Sequence, residues 1–305
     1  MALSIKNSGF RWKGKPIRLA GDHTWNTVQR MNGETVGIDR ITGNVTKLWT
    51  VENKAMIADG SLWGSNSRGT IMVKDLPWKK DGSLNGAYYH RLDKAVAAAE
   101  RRNIVAVVSL FEGSIPDIFP KAWETHAFNG LGPKSHDQVH TKGRWNRYQR
   151  AHVRRSVETL ANRDNVVFEV GNELMASSTR WFQGQVVKWV KKWSDKLIGV
   201  SYARGIRASR GQNEARWMKR TGADWFGPTA TAINQGQFRN TKEAVILDTD
   251  HSWPLNSNVQ GLQAAVKQGH DILLMAGFRG TFLRDQASLA GDRAFIDRIA
   301  SPIVF

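Results

Sequence analysis

Cysteine is absent from the 305 residues, which excludes disulfides, thiolate nucleophiles and cysteine-ligated metals together. No apolar run approaches the roughly 18 residues that a bilayer span requires, so no membrane partner is expected. The opening Met1-Ala2-Leu3-Ser4-Ile5-Lys6 runs straight into polar residues without a signal-peptide core. Export by the usual route is therefore not expected. No His pair has the spacing of a helical metalloprotease motif, so neither a catalytic metal nor another cofactor is expected. Proline is scarce, at 8 residues, and no Pro/Ser-rich stretch or break in composition marks a linker. The expectation is one domain spanning residues 1–305.

Acidic residues are also few, 27 against 44 Lys and Arg, for a formal charge of +17. A polyanionic partner fits that balance, whether an acidic glycan, nucleic acid or an acidic surface. The basic residues gather in Arg147-Tyr148-Gln149-Arg150-Ala151-His152-Val153-Arg154-Arg155 and Lys188-Trp189-Val190-Lys191-Lys192-Trp193, and both stretches read as helices with a solvated face. Thirteen Trp is a high count for this length. Trp offers flat apolar surface with one donor, suited to core packing or to stacking on a ring-shaped ligand.

Eight short apolar segments read as strands, at 17–21, 45–49, 104–110, 166–170, 197–201, 223–227, 244–247 and 271–275. Helical patterns lie between them. Leu92, Ala95, Val96 and Ala99 share a face within 88–102; Val153, Val157 and Leu160 share one within 148–162; 181–193 and 259–268 repeat the design. This alternation predicts an α/β fold, one (β/α)8 barrel, with long loops after strands two and three. Those loops carry Trp63, Trp78, Tyr88, Tyr89 and His90, then Trp123, His126, His136 and His140. Long structured loops on one rim commonly carry function.

The most informative stretch is Val166-Val167-Phe168-Glu169-Val170-Gly171-Asn172-Glu173. A strand buried on both faces has no packing reason to end in an Asn-Glu pair, whereas barrel enzymes keep their chemistry at the strands' C-terminal ends. The other predicted strands also end in polar groups. Strand one ends at Asp22, His23 and Trp25, strand two at Trp49 and Glu52, strand three at Glu112, strand five at Tyr202, and strand seven at Asp248, Asp250, His251 and Trp253. Glycoside hydrolysis needs two carboxyl groups across the scissile bond, and strands four and seven can supply them. Glu169, in phase with Glu173, is expected to be a paired structural carboxylate inside the barrel.

The Asn172-Glu173 pair after strand four, with a carboxylate after strand seven, resembles the large clan of retaining (β/α)8 glycoside hydrolases that includes cellulases, mannanases and β-galactosidases. The likeness is greater to those members whose strand-seven motif is Asp-Thr-Asp-His in place of the usual Glu. It extends to Ile17-Arg18-Leu19-Ala20-Gly21-Asp22, Lys47-Leu48-Trp49-Thr50-Val51-Glu52 and Ser109-Leu110-Phe111-Glu112-Gly113, and so covers nearly the whole chain. The resemblance implies that Glu173 is the acid/base, that Asn172 binds a sugar hydroxyl and that a strand-seven Asp is the nucleophile, Asp250 before Asp248. Asp22, His23, Trp25, Trp49, Glu52, Glu112, Tyr202, His251 and Trp253 are then the expected substrate-binding residues. Asp is one methylene shorter than Glu, and a wider carboxyl separation would give inversion instead. The clan's frequent strand-eight Trp is absent, with Phe278 the nearest substitute.

The partner expected on this reading is a carbohydrate. The basic surface suggests an acidic polymer, met by rim cations such as Lys47, Arg68, Lys121 and Arg279. The competing readings are an inactive barrel that binds glycan as an adhesion or structural component, and a nucleic-acid-binding protein, for which no motif is present. A phage-borne or lysis-released enzyme, or an intracellular oligosaccharide substrate, would reconcile a hydrolase with the missing leader.

Overall fold

The computed structural model describes residues 3–59, 68–115, 121–174, 179–202, 211–251 and 258–275. Eight strands form its centre: β1 (Ala20–His23), β2 (Val45–Leu48), β3 (Val105–Ser109), β4 (Val166–Glu169), β5 (Ile198–Ser201), β6 (Trp225–Gly227), β7 (Ala244–Asp248) and β8 (Asp271–Met275). Neighbours in chain order pair in parallel from β2 to β8, and β8 pairs with β1. A parallel bridge between Thr24 and Leu48 joins the ends of β1 and β2. The result is a closed (β/α)8 barrel. Every predicted strand lies on an observed one.

Strand alternation divides the apolar residues into two clusters. Val45, Val105, Val107, Val167, Trp225, Ile246 and Leu273 point inward and pack with Leu3, Phe10, Trp12 and Ile17, which belong to or flank a small antiparallel sheet of Ser4–Lys6, Gly9–Trp12 and Lys15–Pro16. That sheet packs on the strands' N-terminal end. Ala106, Val108, Phe168, Val200, Phe226 and Leu247 point outward onto the helices. The first predicted strand was set too early because the Ile17 N–H donates to the Phe10 carbonyl, which ties Ile17 to the N-terminal sheet and delays β1 to Ala20.

Four helices match the periodicity: α1 (Gly86–Arg101), α2 (Asn146–Thr159), α3 (Thr179–Trp193) and α6 (Asn258–Lys267), with shorter α4 (Glu214–Lys219) and α5 (Ala230–Asn234) between the last two. The Asn85 side chain caps α1 by accepting the Ala87 N–H. Leu92, Val96 and Ala99 of α1, Val153 and Val157 of α2, and Phe182, Val186 and Val190 of α3 are buried in the outer cluster, as an apolar stripe at helical spacing requires. The connection after β2 contains a hairpin, Ala55–Asp59 with Arg68–Lys74, extended by Arg30–Met31. Its residues alternate too weakly to be read as strands from sequence. Among the described residues no helix is long and apolar enough to cross a membrane.

Candidate functional site

Above the apolar inner layer, the next inward positions are polar: His23, Lys47, Ser109, Glu169, Ser201 and Asp248. All are buried. A lysine at the centre of a barrel is stable only if its charge is met, and Lys47 Nζ lies 3.0 Å from Glu169 Oε2, 3.1 Å from Asp248 Oδ2 and 2.6 Å from Asn172 Oδ1. Burial works against the ammonium, but Glu169, Asp248 and Asp250 outweigh it and raise Lys47 above its ordinary pKa. Glu169 also accepts the Ser201 hydroxyl, the paired structural role expected of it.

Donor and acceptor chemistry fixes the orientations in this layer. An indole N–H only donates, so the 3.0 Å contact from Trp49 Nε1 makes His23 Nδ1 an acceptor. The ring proton is then on Nε2, which donates to Asp248 Oδ1 at 3.0 Å. Lysine likewise only donates, so Asn172 turns its Oδ1 to Lys47 and its Nδ2 to Asp250 Oδ2, 2.9 Å away. Asp248 accepts from His23, from Lys47 and from the Asp250 N–H, so both its oxygens are engaged.

Asp250 and Glu173 are the carboxyl groups left above this network. They are 5% and 7% exposed, the whole cluster being drawn in below the surface. Burial first, then the charges of Glu173 and Asp248, push Asp250 up to about 7 against the opposing pull of Lys47 and His23. Glu173 has φ 42°, a left-handed conformation unusual outside glycine and characteristic of strained functional positions. Gly113 makes room for that turn, since a Cβ there would lie 2.5 Å from the Glu173 carbonyl oxygen. The same approach brings Glu112 into a bridge with Asn172. Burial, reinforced by Asp250 and opposed by Ser114 and Lys47, pushes Glu112 up to about 8.

Several expected substrate contacts have other duties. Trp25 and Trp49, 3% and 1% exposed, pack on each other at 5.3 Å and offer no open face for a sugar. Asp22 accepts the Thr42 N–H and so pins the loop before β2. Glu52 is enclosed by His126 and His140, whose Nε2 atoms lie 3.2 and 3.6 Å from its oxygens. Burial alone would raise Glu52, but these two histidines bring it down to about 2. Lys47 is no rim cation, because its charge is spent inside the barrel; Lys121 is exposed as expected. Tyr202 is buried at the end of β5. His251 closes a short 3-10 turn, Thr249–His251. Trp63, Trp253, Phe278, Arg279 and the side chains of Arg68 and His251 lie outside the described residues.

His126, His136 and His140, in the long connection after β3, come together with Glu52 in the connection after β2, a grouping that suggests a metal ligand set. His126 Nδ1 accepts the Phe128 N–H, so its Nε2 carries the proton and has no lone pair for a cation. Among the described residues no group of three or more such side chains is placed to hold a metal. Sequence reading missed the central place of Lys47. The available signal was its parity with Val45 and Trp49 on a strand buried on both faces.

No known protein family and no curated protein matches the sequence. Solved structures do share the fold. A Thermotoga petrophila endo-β-1,4-mannanase superposes with TM-score 0.59 at 14% identity, over 95% of this chain and 72% of that one. A Rhizomucor miehei endo-1,4-β-mannanase gives 0.58 at 11%, over 98% and 100%. A Bacteroides vulgatus protein provisionally described as a glycoside hydrolase gives 0.61 at 11%, and this chain spans 61% of its length. At such identities the likeness establishes the barrel fold.

Proposed function

We propose that the protein hydrolyses O-glycosidic bonds of a polysaccharide or oligosaccharide, with Glu173 as acid/base and Asp250 as nucleophile. One observation carries the assignment: Asp250 and Glu173 are both buried and close enough for each charge to act on the other, while the neighbouring Asp248 is met by three donors. The Asn172 amide and the nearby Lys47 charge favour the anion on Asp250. A proton on Glu173 removes the strongest charge opposing that anion. This reading makes Glu173 the acid and Asp250 the carboxylate, the division that glycosidic cleavage demands.

In the retaining sequence, an Asp250 oxygen attacks the anomeric carbon as the glycosidic C–O bond breaks and Glu173 gives its proton to the leaving oxygen. Water, deprotonated by Glu173, then displaces Asp250 and regenerates both groups. The two mannanases of similar fold favour a β-1,4-linked polymer. The net charge of +17 keeps acidic polymers in the trial. An inactive glycan-binding barrel is the alternative; it would need an open aromatic rim, and of the expected rim aromatics among the described residues Trp25 and Trp49 are buried.

The test is release of reducing sugar from neutral and acidic polysaccharides, β-1,4-mannan first, by wild type, Glu173→Gln and Asp250→Asn. Each variant is expected to lose a factor of about a thousand in kcat, about 4 kcal/mol of transition-state stabilisation. No release by wild type from any polymer would overturn the assignment.

A further inference from the structure

Glu112 is a buried titratable group near the site that this chemistry leaves unused. Its Oε1 accepts both the Ser114 N–H and the Ser114 hydroxyl. Its Oε2 is buried and has no hydrogen-bond partner among the described residues. A buried carboxyl oxygen without a partner is costly, and such groups mark places where something else binds. An ordinary turn carboxylate would need only the Ser114 contacts. Glu112 is also bridged through its backbone to Asn172, and Asp250 is among the charges it feels.

We propose that Glu112 is a third carboxyl group of the active site, held as the neutral acid, whose Oε2–H donates to an oxygen of the sugar bound against Asp250. This rests on the glycosidase reading and adds the chemistry of one subsite. With two donors already on Oε1, the proton belongs on Oε2, which makes Glu112 a donor at that position. Among the described residues, the charged groups around it include Asp250 after β7, Lys47 on β2 and Glu52 in the loop after β2, whose Oε1 accepts the Glu112 N–H at 3.4 Å. Asp250 opposes a second negative charge, and Glu52 already carries one. Lys47 is committed to Glu169 and Asp248. An ionised Glu112 would therefore face carboxylates on two sides. As the acid, it adds a donor for a sugar hydroxyl, ring oxygen or uronate carboxylate without adding charge beside the nucleophile.

Glu112→Gln tests this, because the amide keeps a neutral donor at every pH. The first measurement is the melting temperature of wild type and Glu112→Gln from pH 5 to 9. A carboxyl kept protonated in the fold stabilises at low pH and loses that contribution as pH rises through about 8. Wild type should therefore lose roughly 5 °C or more relative to Glu112→Gln across this range. A constant difference overturns the neutral-acid assignment.

The second measurement is binding of mannotriose and cellotriose by Glu173→Gln and by Glu173→Gln/Glu112→Gln. The shared substitution stops turnover, and both variants keep Asp250, so its titration is common to the two profiles. Affinity of the first is expected to fall about tenfold between pH 7 and 9 beyond any fall in the second. Superimposable profiles overturn the substrate contact. Loss of the glycosidase reading itself would show separately, as absence of wild-type turnover, with the melting measurement still deciding the state of Glu112.

Discussion

At the scale of single residues, the polar layer of the barrel works by exclusion. Asp248 ends β7 and Asp250 lies in the 3-10 turn that follows, and spacing alone leaves both as nucleophile candidates. They part because Trp49 orients His23 and His23 with Lys47 consumes Asp248. His152 shows the same economy away from the site. Its Nδ1 meets the Tyr89 hydroxyl at 2.9 Å and its Nε2 meets the Leu110 carbonyl at 3.0 Å, and burial, opposed by the Leu110 bond and Glu52, lowers it to about 4. In the unfolded chain it would titrate near 6.5. Its contribution to stability is thus complete above about 6.5 and lost as pH falls through about 4, on the order of 3 kcal/mol in all. Urea unfolding at pH 7 and pH 4.5 should show this loss in wild type and a smaller one in His152→Gln.

At the scale of elements, the inner layer depends on a glycine opposite a tryptophan. Gly199 of β5 pairs with Trp225 of β6. A Cβ on Gly199 would sit 2.0 Å from the indole ring, whose N–H is held by the Phe168 carbonyl. Gly199→Ala must displace that ring, and overpacking of this kind costs about 1–3 kcal/mol. Trp225→Leu vacates the same space at a cavity cost of its own. The double variant should be more stable than the sum of the single losses predicts, by roughly 1 kcal/mol in urea unfolding. Additive losses would place the strain elsewhere. Helix and strand identity was legible here because apolar spacing differs between the two. The hairpin after β2 was not, since its strands are joined through a long connection; the N-terminal sheet did have a local signal, the two-residue turns Asn7-Ser8 and Lys13-Gly14.

At the scale of the whole molecule, the excess charge has a place. α2 and α3 pack side by side and expose Arg147, Arg150, Arg154, Arg155, Arg180, Lys188, Lys191 and Lys192. Glu158 offsets Arg154 and Asp224 offsets Lys191. The remainder give the outer ring of the barrel a basic face on α2 and α3. Replacing Arg147, Arg150, Lys188 and Lys192 by Glu should weaken retention on an anionic polysaccharide column while leaving kcat on a neutral polymer within about twofold. Wild-type retention should fall steeply with salt over a few hundred millimolar, where the screening length drops below about 10 Å.

The chain by itself determined the barrel and marked the strand ends as the candidate site, because strand and helix periods and polar strand ends are local properties of the sequence. It also singled out Asn172, Glu173, Asp248 and Asp250. Only the tertiary structure met both oxygens of Asp248 with donors, moved Lys47 from the rim to the barrel centre and buried Trp25, Trp49 and Glu52. Those outcomes depend on which donors meet which acceptors across strands far apart in sequence. Closure of the barrel brings them together, and no spacing along the chain expresses it.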